Sequence, residues 1–404
     1  MTGVQTCALP ILPLLLRHID MPRERITILT GDDRGKAEAE HFGITFIVRP
    51  LTRDNYRTLL DPLLDKGDFL LNLSVDVSSV ALIEFCYEKG AMYLDTCIEP
   101  WLGGYTDPTV SASHRSNYGL REDVLALREK YPNGGPTVIP THGANPGLIS
   151  HWVKQALVHI ARDLHRKTDI PRGKAQWAQL AMKLGVKVIH CAERDTQIAN
   201  PGKQRLEFVN TWSVDGFVGE GSQPCELGWG THEKHFPHDG QRHGYGCDAG
   251  IYLTRPGASV RVRSWTPGEG NYHGFLITHG EAISIADYFT VREKDKVVYR
   301  PTCHYAYHPC DNTVSSIHEL AGKNWELPEK KRIFMDEITN IQCPTLIVEP
   351  GAHPIGTGSA FAEMEKRIPN AERIVYEDGR HNVFDYLPER CVADTLAFLQ
   401  KHFP

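Results

Sequence analysis

Short apolar runs, each followed by a helix-length segment, recur through the first third of the chain. This period constrains the fold more than any other feature. Leu12 to His18 reads as a helix, Ile26 to Thr30 as a short buried strand, Lys36 to Phe42 as a helix, and Ile44 to Val48 as the next strand. A helix around Tyr56 to Leu64 leads to the run Phe69 to Ser74. Another, Ala81 to Lys89, leads to AMYLDT, and TVIPTHGANPG closes the series. Strands of this kind alternating with helices form a parallel sheet with crossover helices, the organisation of a dinucleotide-binding domain. Such a domain opens with a strand running into a glycine-rich turn, where backbone N–H groups and the helix dipole receive a pyrophosphate. Here only MTGVQTCALPI precedes the first helix, with a single glycine, and no G-x-G-x-x-G occurs anywhere. The expected fold is therefore α/β: a Rossmann-like parallel sheet over 12–146 that lacks its first strand and Gly-rich turn.

Beyond about Gly147 the pattern changes. Helical stretches near Leu148–Leu164 and Ala175–Leu184 precede a region rich in Gly, Trp, Tyr and His. Its strand-like runs are KVIHCAERDT, EFVNTWSV, GIYLTRP, SVRVRSW and KVVYRPT. Strands in succession predict a second, α+β domain over 147–338 with a mostly antiparallel sheet. An α/β pattern restarts near Ile338 with CPTLIVE, a helix around Ala360–Arg367, AERIVYED and a closing helix, giving a short tail over 339–404.

The 404 residues suffice for two or three cores, and 41% hydrophobic with 23% charged residues is an ordinary globular balance. A net charge of −6 argues against nucleic-acid binding, which needs a clustered basic excess. Ten cysteines with no CxxC point to free thiols and a reducing cytoplasmic compartment. The apolar run Ala8–Leu16 has no basic residue before it and is too short to span a bilayer, so neither secretion nor membrane insertion is expected.

Carboxylates stand beside tryptophans throughout the middle of the chain. The segments are IEPWLGG (Glu99, Trp101), HCAERDTQ (Glu193), NTWSVDGFVGEG (Trp212, Glu220), ELGWG (Glu226, Trp229) and THGEAISIAD (His279, Glu281, Asp287). Such a set suits an organic cation, because carboxylates neutralise ammonium groups and an indole face attracts a desolvated cation. The plainer reading is that tryptophans fill core and acids face water.

These segments, with NLSVD, DTCIEPW, GANPG, AGIYLTRPGASVRVRSWTP and YRPTCHYAYHP, resemble bacterial homospermidine synthase, a family related in its nucleotide domain to saccharopine dehydrogenases. The resemblance covers about Leu12 to Glu337. It implies that NAD oxidises the carbon bearing one amine of putrescine and that ammonia leaves. A second putrescine then forms a Schiff base, which the retained NADH reduces to homospermidine. Oxidation of a C–N bond requires an unprotonated amine, so a carboxylate base is needed. Glu193 and Glu220 match family acids of the amine pocket, and Trp212 matches the tryptophan that holds cationic intermediates. His279 and Glu281 match the pair near the reacting centre, with His279 relaying a proton near neutral pH. Asp76, Glu99 and Asn145 match polar residues around substrate and nicotinamide, although Asn145 is equally explained as a turn residue in GANPG. The resemblance also implies a homodimer and leaves spermidine open as a second donor.

On the cofactor side, Asp32 or Asp33 is placed to meet the adenosine ribose. The preceding strand ends in Thr30, where the family carries an acid. Asn72, Ser74, Thr96 and Asn145 lie at strand ends along the cofactor's path. Without the glycine turn, weak NAD binding is expected. His232, His235, His238, His243 and Cys247, and likewise Cys303, His304, His308 and Cys310, lack the paired spacing of a zinc site, so no metal is expected. The two ends stand apart from this family. Residues 1–11 resemble translated adapter sequence, and the stretch from Ile341 resembles the last quarter of an α/β-hydrolase, joined across Asp336–Ile341. In that likeness His381 takes the place of the triad histidine and Glu349 lies nearest the acid. No G-x-S-x-G elbow exists to supply a nucleophile, so His381 is expected to be a relic. Alternatives to the synthase are an α/β-hydrolase fragment and an inactive chimera that only binds polyamine.

Overall fold

The computed structural model describes residues 5–166, 169–197, 201–267, 270–333, 344–350, 358–368, 370–377 and 387–402. The first helix, α1 (Gln5–His18), starts seven residues before the expected Leu12. It is followed by β1 (Thr27–Thr30), α2 (Lys36–Phe42) and β2 (Thr45–Val48). Then come α3 (Tyr56–Leu60), β3 (Phe69–Asn72), α4 (Ser79–Lys89), β4 (Met92–Asp95), α5 (Asn117–Lys130) and β5 (Val138–Ile139). Leu12 of α1 is buried with Ala39 and Ile44, and Ile28 and Phe46 pack against them, so α1 closes over the β1–β2 pair. All pairings here are parallel, but they form two separate sheets, β1–β2 and β3–β4–β5. A doubly wound sheet in the order 3-2-1-4-5-6 splits in this way when its central first strand is missing. Among the described residues no strand pairs with both β1 and β3. The strand expected through TVIPTHGANPG shrinks to Val138–Ile139, because Pro140 has no N–H to continue the ladder.

The second part opens with α6 (Leu148–Asp163), α7 (Lys174–Lys183), β6 (Val188–Arg194) and β7 (Glu207–Asn210). The run EFVNTWSV, read above as one strand, ends at Asn210 and turns into α8 (Val214–Ser222), because Ser213 caps that helix by accepting from Gly216 N at 3.0 Å. Next are β8 (Pro224–Gly228), β9 (Gly240–Arg242), β10 (Gly250–Pro256), β11 (Arg261–Thr266) and β12 (Gly270–Leu276). After α9 (Gly280–Tyr288), the hairpin of β13 (Val291–Glu293) and β14 (Lys296–Tyr299) leads to β15 (Thr302–His308), α10 (Asp311–Gly322) and β16 (Lys330–Ile333). The sheet runs β11-β12-β15-β8-β10-β9 with antiparallel pairing throughout, and β6 joins the far edge of β15 in parallel. β15 is buried along its whole length. It pairs with β8 at Cys303 and with β12 at Ala306 and Tyr307, while β6 matches it from Thr302↔Val188 to His308↔Arg194. Gly228 of β8 lets α9 lie against this sheet, since a Cβ there would come 2.6 Å from the Ala282 carbonyl oxygen.

The tail consists of β17 (Thr345–Pro350), α11 (Gly358–Arg367), β18 (Ala371–Tyr376) and α12 (Pro388–His402). Its two strands are parallel, and a small core of Tyr376, Cys391, Val348 and Ile374 holds them to α12.

A buried carboxylate ties the first part to the second. Glu226 of β8 accepts from Asn117 N (2.9 Å) and Tyr118 N (3.0 Å) at the start of α5, and from Thr278 Oγ1 (2.6 Å). His243 stacks on Tyr118 at 3.7 Å and shares a 2.8 Å hydrogen bond with Ser113. Arg121 of α5 pairs with Asp287 of α9 at 2.7 Å. The expectation that Glu226 and Asp287 serve a cationic ligand is therefore corrected: both carboxylates are taken up in holding α5. Glu226→Gln leaves an amide NH2 facing a backbone N–H, and the expected cost is about 1–3 kcal/mol. Urea unfolding measures it, and unchanged stability would remove Glu226 as the join.

Candidate active site

The site lies where β15 brings its neighbours together. Glu193 is on β6, and its carboxylate oxygen Oε2 accepts from the Tyr305 hydroxyl at 2.7 Å and from Asn145 Nδ2. His279 caps the start of α9, where its Nδ1 pairs with Oε2 of the buried Glu281. Its ring stacks on Tyr305 at 4.1 Å and 23°. Trp212 donates from Nε1 to the Tyr307 hydroxyl at 3.1 Å, and Phe217 meets its ring edge-on at 5.9 Å. Glu220 on α8 lies in the electrostatic field of His279, Glu193 and Glu281.

Burial and like charge push Glu220 and Glu99 upward. Glu220 is raised to about 7, mainly by desolvation, with Glu193 and Glu281 adding to it against the opposing charge of His279. Glu99 is raised to about 8, again mainly by desolvation, with Asp76 and Glu220 adding their charge. Burial also raises Asp76. For His279 desolvation acts downward, but the charge and hydrogen bond of Glu281, reinforced by Glu220 and Glu193, outweigh it and hold the imidazole at about 9. The expectation of a relay near neutral pH is corrected accordingly: at pH 7 His279 is an imidazolium.

The members contributed by the first part surround a cavity of about 1250 Å³. It opens at the carboxyl ends of β1 and β3, the position where open α/β sheets bind ligands. Thr30, Gly31, Arg49, Ser74, Asp76 and Glu99 line it. The sequence-expected acids thus fall into two groups, one on the cavity (Asp76, Glu99) and one on the β15 platform (Glu193, Glu220, Glu281). Electrostatic coupling of Glu99 to Glu220 and the Asn145–Glu193 hydrogen bond connect them. Asn145 sits inside a turn that Gly143 N closes by donating to Pro146 O at 2.9 Å, and its side chain reaches out of that turn to Glu193. Thr96 packs so closely on this turn that a Cβ at Gly143 would lie 3.2 Å from Thr96 Cβ.

Asn72 is turned inward, donating to Tyr93 Oη at 3.0 Å and accepting from Ser74 N at 3.1 Å, so it shapes the strand end that presents Ser74. Asp32 accepts from Arg34 Nη2 at 2.8 Å, an ion pair that a ribose contact would have to share. Among the histidines considered above as metal ligands, His304 meets the His190 ring at 4.1 Å and a 35° tilt, and His243 lies in the α5 junction. Tyr305 and Tyr307 were missed in the sequence. Their alternation in YRPTCHYAYHP, which puts both on one face of a strand, was the available signal.

Residues 6–139 match the saccharopine dehydrogenase NADP binding domain family, and 143–396 match the saccharopine dehydrogenase C-terminal domain family. Homospermidine synthase of Blastochloris viridis is 51% identical over 338 residues, 81% of this chain and 71% of that protein. The chain belongs to the homospermidine synthase family. The homospermidine synthase of Mesorhizobium japonicum is 50% identical over 317 residues, 77% of this chain and 65% of its own length. The crystal structure of the homospermidine synthase from Legionella pneumophila in complex with NAD superposes with a TM-score of 0.72 at 44% identity, covering 80% of this chain and 68% of that one. The second match to the saccharopine dehydrogenase families takes in the tail that had been likened to a hydrolase.

The cavity fits the family's cofactor at the strand ends. Thr30 is buried on its wall with an unpartnered Oγ1, an orphaned group that a bound polar ligand would satisfy.

The His279–Glu281 pair makes stability depend on pH. The folded value of about 9 lies above the ordinary 6.5. The contribution is therefore complete below about pH 6.5 and disappears as pH rises through 9. Unfolding midpoints measured from pH 6 to 10 are expected to fall across this window in the wild type and to flatten in Glu281→Gln.

Proposed function

We propose that this chain condenses two putrescines to homospermidine with release of ammonia, in an NAD-dependent reaction. The observation that carries this reading is the convergence of Glu193, Glu220 and Glu281 on His279, which pairs directly with Glu281, with Glu99 coupled to Glu220 from the cavity wall. Like charges held together out of water are costly, and a diamine brings the positive charge that relieves them. When bound, NAD supplies the oxidation of the amine-bearing carbon and the later reduction of the condensed product. Thr30, Asp32, Asn72, Ser74 and Thr96 are the residues that would hold it, at the ends of β1, β3 and β4.

The remaining work falls to the protein. Glu193 receives the ammonium of the incoming diamine. Glu220, at about 7, is matched to take a proton from the reacting nitrogen near neutral pH, while Glu99, at about 8, is a neutral carboxyl there and lines the pocket as a hydrogen-bond donor. His279 enters as an imidazolium and returns a proton to departing ammonia, with Glu281 stabilising its charged form. The Trp212 ring, steadied by Tyr307, lies against the cationic chain. Asp76 and Asn145 complete the polar wall.

In this reading the nucleotide part covers 12–146, the substrate part 147–338 and the tail 339–404, in a cytoplasmic homodimer. Spermidine is a further candidate donor. No described helix is long and apolar enough to cross a membrane, and the eight cysteines with described side chains are free thiols. The tail is read as a hydrolase-like appendage without catalysis: Arg373 engages Glu349, and His381 lies outside the described residues. A second reading is a polyamine-binding protein without turnover.

Incubation with putrescine and NAD, followed by chromatography, is expected to show homospermidine and equimolar ammonia. No product with putrescine still bound would decide for the second reading. Glu220→Gln is expected to lower turnover by about 100-fold, the scale of a lost general base. Calorimetric titration is expected to show weaker NAD binding than a glycine-turn homologue under the same conditions, and equal affinity would show that the turn is dispensable.

A further inference from the structure

The two hydrogen bonds to Glu193 end on one oxygen. Tyr305 Oη and Asn145 Nδ2 both donate to Oε2, and among the described residues no protein donor reaches Oε1. A carboxylate on a flexible side chain would otherwise present either oxygen and sample several rotamers. The phenol comes from the strand beside Glu193: β15 runs parallel to β6, with Tyr305 opposite Cys191 and Tyr307 opposite Glu193. On the other edge of β15, β12 pairs Phe275 with Tyr307, and the chain then climbs through Thr278 to His279. The ring of Tyr305 lies under the His279 imidazole, and its hydroxyl reaches Glu193. One buried residue thus touches groups supplied by both flanking strands. Tyr305 is only 5% exposed, and the neighbouring Tyr307 ring, at 6.5 Å and 11°, limits its movement.

We propose that Tyr305 is a positioning residue that fixes Glu193 with Oε1 turned toward the substrate amine, so that one carboxylate oxygen is anchored and the other receives the ammonium. This rests on the amine-pocket reading above. Asn145 reaches the same oxygen from a turn, whereas Tyr305 reaches it from the most buried strand of the sheet, and the phenol sets the distance between Glu193 and His279. Its chemistry suits a diamine: a neutral donor orients the carboxylate without cancelling the charge that the ammonium needs.

Tyr305→Phe keeps the ring on His279 and removes only the hydroxyl, so the fold is retained. Crystal structures of wild type and Tyr305→Phe test the positioning without any diamine. The Glu193 carboxylate is expected to rotate or to occupy more than one rotamer, and an unchanged Glu193 would overturn the proposal. A double-mutant cycle tests its use. Calorimetric affinity for putrescine is expected to fall by about three- to tenfold on Tyr305→Phe, the scale of one hydrogen bond. In a Glu193→Ala background the same change is expected to alter affinity by less than about twofold, since nothing remains to be oriented. Equal losses in both backgrounds would show that Tyr305 acts independently of Glu193. A wild-type protein that binds no putrescine would sink the amine-pocket reading, and the crystallographic comparison would still decide the role of Tyr305.

Discussion

A carboxylate buried between two sheets is costly to desolvate unless its lone pairs are filled, and Glu226 is the point where this protein meets that condition. Its partners are two backbone N–H groups at the start of α5 and the Thr278 hydroxyl. These belong to different parts of the chain, so satisfying the charge requires the two parts to be in register. Thr278 immediately precedes His279, and α5 carries Leu120, Asp123 and Ala126 onto the cavity wall. The same interaction that closes the fold therefore places the His279 imidazole relative to the cavity. Asp287 and Arg121 secure the other side of α5, so the helix is fixed at two points and not free to swing.

The electrostatics of the site follow from the same geometry. Burial alone would raise every carboxyl and lower every imidazole. Around β15 the acids outnumber the cations, so the surplus negative charge raises His279 and the acids raise one another. An acid raised to about 7 or 8 accepts a proton from an amine more readily than an exposed carboxylate does, and still releases it near neutral pH. The imidazole moves upward with the acids and stays above them, which leaves it in a proton-donating role. Acid and base assignments thus come from one cluster in which the carboxylates hold the proton on His279.

The α/β alternation and the antiparallel second sheet were legible because they rest on periodicity, which each strand carries by itself. Lys36 to Phe42 was placed to the residue. The strand-to-helix change after Asn210 was not, since it depends on Ser213 capping rather than on an apolar period. In the site, Glu193, Glu220, Trp212, His279 and Glu281 were reached through family segments, whereas the acid-beside-tryptophan pattern by itself also selected Glu226 and Asp287. Those two carboxylates are indistinguishable from ligand-binding acids until their donors are known, and most of the donors come from residues more than a hundred positions away. Tyr305 escaped notice for the converse reason. A tyrosine in a buried strand reads as core, and only the register of β6 against β15 shows that its hydroxyl meets an acid.

The split between β1–β2 and β3–β5 bears on the cofactor more than on the amine chemistry. The groups that handle protons belong to β6, α8, α9 and β15, whose sheet is continuous, and none depends on ladder bonds from the first part. The cofactor cavity, by contrast, lies at the carboxyl ends of β1 and β3, across the gap where a central strand would deliver its turn. A dinucleotide gains much of its hold from backbone N–H groups at such a turn and from the helix dipole behind it. The cofactor cavity and the acid cluster are therefore carried by different sheets, and a change to one need not disturb the field around His279.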